Sequence, residues 1–275
     1  MENIKIKTPA KINLGLNVKG KRTDGFHNIE TIFYPVNLYD YLSFEKDDTL
    51  SIESNNIQLV KEDGNSIINA VHILEKETGN KLNVKIYLEK NIPIGAGMGG
   101  GTSDGAAALI ALNDLFELGL SKNKLLELAL QIGSDAPYFI NPVPSIAKGR
   151  GEILNEIEFN IQSPILIINP GIHISTKWAY ENLPANLPHK SINIISGFGN
   201  LDLSNLKDIL TNDFEKVVFP NYPEIENIKN QLYELGAAFA LMTGSGSTVY
   251  GIFNNISQAE AAEEKFPEKY FKYIS

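Results

Sequence analysis

Six glycines stand among the eleven residues from Gly95 to Gly105, in the run PIGAGMGGGTSDGAAALIAL, and an alanine-rich apolar stretch follows directly. Bare backbone of this density, placed before a helix, suits an anion. Glycines accept positive φ and let main-chain N–H groups approach phosphate oxygens. The unpaired N–H groups and the dipole of the following helix add to the attraction. Thr102 and Ser103 bring hydroxyl donors to the helix start. Two named nucleotide loops do not fit. A Walker loop needs a lysine before its Ser/Thr, and Gly101 stands there. Gly95, Gly97 and Gly100 do spell G-x-G-x-x-G. Yet Pro93 separates strand from loop, and Asp114 and Glu117 fall on the helix, not at the end of the next strand where a dinucleotide site needs its acid. A mobile linker would rarely lead straight into a capped amphipathic helix. The run reads as a phosphate cradle and is silent about the reaction.

Other residue types bear on chemistry. In PAKINLGL, Ile12, Leu14 and Leu16 take one strand face, so Lys11 and Asn13 share the other. Composition alone would make that an ordinary solvated face. Asp135, in IGSDAPYFI, lies between a helix end and an apolar run, the usual place of a turn or capping carboxylate. Pro137 stiffens that loop, and Tyr138 and Phe139 offer a half-buried setting. A lysine nearby would keep Asp135 ionised and oriented. His27, in DGFHNIE, is one of four histidines, beside a hairpin signal. No His or carboxylate cluster has metal-ligand spacing. A metal here is expected to be Mg²⁺ carried mainly by nucleotide phosphates.

The composition narrows the class. The 275 residues, 43% of them apolar, suffice for one large domain or two packed ones. A net charge of −9 argues against a general nucleic-acid binder. There is no cysteine, hence no disulfide framework or thiolate zinc site. No stretch approaches bilayer-spanning length, and MENIKIKTPAKI has neither an apolar signal core nor a cleavage site. The expectation is a cytoplasmic protein with a small-molecule partner, no nucleic acid and no membrane. The 24 basic residues include only two arginines, Arg22 and Arg150, both in glycine-containing segments. Under a lysine-biased composition, a remaining arginine is the one that needs its planar fork.

The elements that must position these residues follow from periodicity. IKIKTPAKINLGLNV and IETIFYPV read as strands joined by a turn at TDG. Asn65 caps a helix over SIINAVHILEKET that Gly79 ends. LNVKIYLEK is a strand, and the glycine run leads into a helix from about Ser103 to Leu118. KNKLLELALQI is a further helix. The second half opens with the buried strand PILIIN. Helices follow over STKWAYENL, NLKDILTNDFEKV and PEIENIKNQLYELG. AAFALM and TVYGIF form a hairpin, SQAEAAEEKF a helix and KYFKYI a last strand. Apart from the extra helices, the order is β-α-β-β-α-β, the ferredoxin-like split unit. The polar segment NEIEFNIQSP places a boundary near residues 155–163, giving domains 1–158 and 159–275.

PAKINLGL, PIGAGMGGGTSDGAAAL and MTGSGSTVYGIF, in this order, together resemble the three motifs of the GHMP kinase superfamily and span nearly the whole chain. GKRTDGFHNIETIF and GSDAPYF…AKGRGE are similar to its branch that acts on a cytidyl diphosphate sugar alcohol. The resemblance implies an α+β GHMP kinase fold. Its N-terminal, ATP-binding domain is like ribosomal protein S5 domain 2, and its C-terminal domain is ferredoxin-like. It implies a transferase that moves the γ-phosphate of ATP to the tertiary C2 hydroxyl of the methylerythritol unit, in isoprenoid precursor synthesis by the non-mevalonate route. Asp135 matches the catalytic aspartate, and Lys11 the lysine that contacts it and the reacting hydroxyl. Pro93, Ile94, Gly95, Ala96, Gly97, Met98, Gly99, Gly100, Gly101, Thr102 and Ser103 match the ATP phosphate loop. Asn65 matches an asparagine beside the adenine. Asn13, Phe26 and His27 match positions at the reacting end and the cytidine, and Thr176 a position on the substrate side. Phe26 replaces a common tyrosine, Thr102 a serine and Gly105 an alanine, the last at a cost of up to about 1 kcal/mol of helix stability. INPVPSIAKGRGE lacks a usual glycine pair, which leaves Lys148 and Arg150 without an assigned role. A sister GHMP kinase for homoserine or mevalonate, or a non-catalytic nucleotide binder of the same fold, are the alternatives.

Overall fold

The computed structural model describes residues 3–56, 65–184, 206–207 and 209–275. The chain divides into two compact units: Met1–Ala10, Asn37–Ile94 and Gly99–Pro142 in the first, Lys11–Val36, Gly95–Met98 and Val143–Ser275 in the second. Two long strands, β1 (Asn3–Lys21) and β2 (His27–Lys46), each pass from one unit into the other. β1 alternates only over its first residues; from Thr8 to Val18 every position is buried. The face that carries Lys11 and Asn13 is therefore as dry as the face that carries Ile12 and Leu14.

In the first unit, Tyr41–Lys46 of β2 pair antiparallel with β4 (Val84–Glu89), whose other edge takes β3 (Ser51–Ser54) in parallel. The helix α1 (Ser66–Thr78) has the ends that the sequence predicts. The Asn65 side chain accepts from Ile67 N–H at 2.9 Å, and Gly79, at φ 72°, closes the helix. α2 (Gly100–Leu115) and α3 (Lys122–Ala129) pack with α1 over the sheet, joining Leu42, Phe44, Leu74 and Ile86 to Ala107, Ala108, Leu112 and Leu128 in one core. α2 begins three residues before the expected Ser103. Glycine is a poor helix former, so propensity puts the boundary later; packing overrides it. A Cβ on Gly105 would lie 2.9 Å from Ile132 Cγ2 and 3.0 Å from Ser66 O, so the glycine that weakens the helix admits its neighbours.

In the second unit, Ile29–Phe33 of β2 pair antiparallel with β5 (Ser145–Gly149), which pairs with β6 (Ile153–Glu156). A separate sheet has the order β10-β7-β9-β8, antiparallel throughout, from β7 (Ile165–Asn169), β8 (Phe239–Met242), β9 (Val249–Ile252) and β10 (Phe271–Ile274). With α6 (Pro223–Glu234) and α7 (Ile256–Glu263) this is the ferredoxin-like order. α4 (Thr176–Glu181) and α5 (Glu215–Asn221) are the extra helices. The helix expected over NLKDILTNDFEKV forms only from Glu215 onward; residues 205 and 208 of that run lie outside the described residues. Asn212 explains the break. Its Oδ1 accepts from Phe214 N–H at 3.0 Å, and its Nδ2 donates to the carbonyls of Met242 and Gly244 at 2.7 and 2.8 Å. A side chain that binds its own backbone this way competes with helix continuation. Among the described residues no helix is long and apolar enough to cross a membrane.

Candidate active site

The glycine run adopts the backbone its composition permits. Gly95, Gly97 and Gly99 have φ of 62°, 76° and 71°. In the second unit, the Gly97 carbonyl accepts from Lys11 Nζ at 3.2 Å and from Thr243 Oγ1 at 3.3 Å, and the Met98 carbonyl from Lys11 N–H at 3.0 Å. A trans peptide sends its N–H opposite its carbonyl. The N–H groups of Met98 and Gly99 therefore face away from these donors. The approach is close: a Cβ on Gly97 would lie 2.3 Å from Thr243 O, and one on Gly95 2.7 Å from His173 Nδ1.

Gly99 caps α2 with no side chain. The first helical N–H to find a helical carbonyl is that of Ser103, bonded to Gly99 O at 2.9 Å. Gly100, Gly101 and Thr102 thus present the open donors of a helix start. The two expected hydroxyl donors behave otherwise. Thr102 Oγ1 donates to Gly99 O at 2.9 Å, and the buried Ser103 Oγ donates to Pro9 O at 2.8 Å beside the Thr8 hydroxyl. Their protons go to carbonyls because helix-start hydroxyls meet backbone acceptors first. The donors of this segment are main-chain N–H groups. Of the other loop residues, Ala96 and Met98 are buried, Pro93 is half-buried and Ile94 is exposed.

Asp135 lies in the first unit, before a 3₁₀ turn over Ala136–Ile140 with Pro137 in its first positions. Its carboxylate makes no capping bond to that turn. A Cβ on Gly133 would lie 2.6 Å from Thr102 Cγ2 and 3.6 Å from Asp135 Oδ1, so Thr102 and Asp135 flank the same glycine. A half-buried carboxylate thus stands beside the open N-terminus of α2. Tyr138 and Phe139, edge to face at 5.1 Å, are buried beneath the turn.

Lys11 is buried in the second unit. It donates to Asn13 Oδ1 at 2.6 Å and lies 5.1 Å from the centre of the Phe33 ring. Asn13, matched to the reacting end of the substrate, is engaged on every side. Its Oδ1 also accepts from Thr243 Oγ1 at 3.2 Å and Gly244 N–H at 3.1 Å, and its Nδ2 donates to Thr31 Oγ1 at 2.9 Å. Asn13 orients Lys11. Asn65 is likewise occupied as the cap of α1.

Phe26 sits in the β1–β2 turn of the second unit, and His27 opens β2. Phe26 is 47% exposed. The Arg150 guanidinium lies over its ring at 4.4 Å. Arg22 holds the turn with its fork: Nε donates to Asp24 at 3.0 and 3.1 Å, and NH2 lies 2.9 Å from Asp24 Oδ2. The Arg22 hydrogen bond keeps the Asp24 carboxyl below its ordinary range. His27 stacks on Tyr180 at 4.7 Å, and burial, then Lys21, lowers its pKa. A neutral imidazole and an open aromatic face suit a neutral heteroaromatic ring. Thr176, at the start of α4, shares a hydrogen bond with Ser245 at 2.9 Å. Lys148 pairs with Glu30 at 3.7 Å. Sequence reasoning missed the stacking of Arg150 on Phe26, for which the scarcity of arginine was the one available signal. It also missed Thr243, which carries no sign of its role.

The models for the GHMP kinases N terminal domain and the GHMP kinases C terminal match residues 65–141 and 194–272. The curated 4-diphosphocytidyl-2-C-methyl-D-erythritol kinases of Chloroherpeton thalassium and Syntrophomonas wolfei are 40% and 38% identical to this chain. The matches cover 95% and 98% of it, and 93% and 95% of those proteins. This chain belongs to the 4-diphosphocytidyl-2-C-methyl-D-erythritol kinase family of the GHMP kinases. It is therefore one of a family of small-molecule phosphotransferases. A crystal structure of a 4-(cytidine 5'-diphospho)-2C-methyl-D-erythritol kinase superposes with a TM-score of 0.82 at 28% identity, over 98% of both chains. A homoserine kinase from Cytophaga hutchinsonii, at 16% identity and a TM-score of 0.72 over 100% of this chain and 95% of its own, shares the fold.

Proposed function

We propose that this member of the kinase family transfers the γ-phosphoryl group of ATP to the C2 hydroxyl of 4-diphosphocytidyl-2-C-methyl-D-erythritol, in the methylerythritol phosphate route to isoprenoids. The observation that carries the reading is the uncapped Asp135 carboxylate beside Thr102, at the open N-terminus of α2. Phosphoryl transfer has a loose transition state and needs mainly positioning and charge stabilisation. The N–H groups of Met98 to Thr102 and the α2 dipole receive the β- and γ-phosphates. Asp135 accepts the hydroxyl proton at a carboxylate oxygen. A carboxylate is a far weaker base than an alkoxide, so the proton moves late, as the bond to phosphorus forms. Lys11, held by Asn13, orients the hydroxyl. Phe26, His27 and Arg150 receive the cytosine, and Thr176 lies on the substrate side. Domains 1–158 and 159–275 are the proposed ATP-binding and C-terminal halves, and the cytoplasm, with its ATP, the proposed compartment.

Among the described residues no three His, Asp or Glu side chains are grouped to hold a metal ion. Mg²⁺ is proposed to travel on the nucleotide phosphates, where it would neutralise their charge, and no side chain is assigned to it. A coupled ADP-release assay tests the reading. Release is expected with the cytidyl alcohol and absent with homoserine or mevalonate; turnover of either of the latter in its place overturns the assignment. Asp135→Asn is expected to lower kcat by about 1000-fold while ATP binding changes little. Equal losses in both would remove Asp135 from the proton transfer.

A further inference from the structure

Within the first unit, a buried ionic cluster joins the chain before the glycine run to the chain after it. Lys90, directly after β4, donates through Nζ to Asp104 Oδ2 at 2.7 Å and to Asp40 Oδ2. The lysine side chain is 4% exposed, and the carboxylates are 0% and 4% exposed. Asp40 does a second job. Its Oδ1 accepts the N–H groups of Asn91 and Ile92 at 2.6 and 2.9 Å. Asp104 belongs to the start of α2. Gly100 completes the contact, since a Cβ there would lie 2.9 Å from both Lys90 Nζ and Ile92 Cγ2. Residues 90–92 and 100–104 therefore meet around one ammonium and two carboxyl groups.

Stability is a poor explanation for such a cluster. Desolvating an ammonium and two carboxyl groups costs about as much as their attraction returns, and apolar residues of the same volume often do better. Asp104 shows the strain. Its Oδ1 is buried with no hydrogen-bond partner among the described residues. Burial raises its pKa to about 8, against the pull of Lys90 and with the push of Asp40. What the cluster does provide is direction: each bond fixes one end of the Pro93–Gly99 segment relative to the other.

We propose that Lys90, Asp40 and Asp104 are positioning residues for the phosphoryl donor: they fix the two ends of the glycine run so that its N–H groups are set before the nucleotide arrives. The proposal rests on the reading of that run as the triphosphate site. It assigns the cluster to ATP binding, and leaves recognition of the alcohol to other residues.

The test is titration calorimetry with ATP, and steady-state kinetics in both substrates, on the full chain. Lys90→Met and Asp104→Ala are expected to raise the ATP Kd and KM about tenfold, and to leave the KM of the cytidyl alcohol within about twofold. Asp104→Asn keeps an acceptor for Lys90 and is expected to recover most of the ATP affinity. Folded Lys90→Met and Asp104→Ala proteins with wild-type ATP Kd overturn the proposal, as does an equal rise in both KM values. Should both truncations fail to fold by circular dichroism, Asp40→Asn decides. A tenfold weaker ATP Kd supports the cluster's role, and an unchanged one overturns it. Wild-type protein that binds no ATP in the same titration overturns the reading of the glycine run and this inference with it.

Discussion

Neutral groups hold the chain from Gly95 to Met98, and ions hold it at Lys90–Ile92 and Gly100–Asp104. The neutral support consists of Asn13, Thr243 and the Gly97 carbonyl, with Lys11 as its one charge. The ionic support sets one ammonium between two buried carboxyl groups. Uncharged hydrogen bonds are directional and indifferent to pH, which suits a network that aims Lys11. Buried charges hold harder but answer to protonation, which suits an anchor one step away from the reacting atoms.

The contrast is most sharply broken at Gly97. Gly97→Ala must fit a Cβ at φ 76° and 2.3 Å from Thr243 O. A displacement of about 1 Å can cost on the order of 100-fold in rate, so kcat/KM is expected to fall by at least that factor. Melting is expected to show a loss of about 3 kcal/mol. Near-wild-type kinetics would mean that the neutral side is soft. Next comes Asn13→Ala, which leaves Lys11, Thr31 and Gly244 short of a partner. A loss of about 3 kcal/mol of stability and a tenfold lower kcat are expected, with the KM of ATP little changed; a change confined to the KM of the alcohol would make Asn13 a substrate contact instead.

The ionic side has its own signature. Asp104 has its pKa raised above the ordinary 3.8 to about 8 by burial. The folded protein therefore holds a proton that the unfolded chain has already lost. The stability this proton supplies is full below pH 3.8, declines as pH rises, and is gone above about 8. Urea midpoints of the wild type are expected to fall between pH 5 and 8 more steeply than those of Asp104→Asn. Parallel slopes would show that the ionic anchor is as indifferent to pH as its neutral counterpart. The smallest effect belongs to Thr243→Ser, which keeps the hydroxyl and should stay within about twofold in kcat/KM, whereas Thr243→Val should lose roughly fivefold.

Much of this was legible in the sequence where the physics is local. Asn65 and Gly79 mark the two ends of α1, and alternation places Lys11 with Asn13. The order of β7 to β10 follows from periodicity and turns. The two arginines do use their planar guanidinium groups, Arg22 in a fork and Arg150 over an aromatic face. The illegible parts are non-local. Asp40, Lys90 and Asp104 lie on three separate stretches with nothing in their neighbours to join them. The Ser103 hydroxyl turns toward Pro9, 94 positions away, a choice only the packed chain makes. The early start of α2 defeats propensity for the same reason.

β1 and β2 belong to both units, so the polypeptide crosses between the units several times before residue 143. No single scissile bond would release either one whole. A fragment that stops at residue 158 would keep Leu16, Val18 and Ile29 but lose Phe214, Val218 and Ile228, which complete the same apolar cluster. Circular permutation or grafting in this protein must therefore treat the first two strands as common property of both halves.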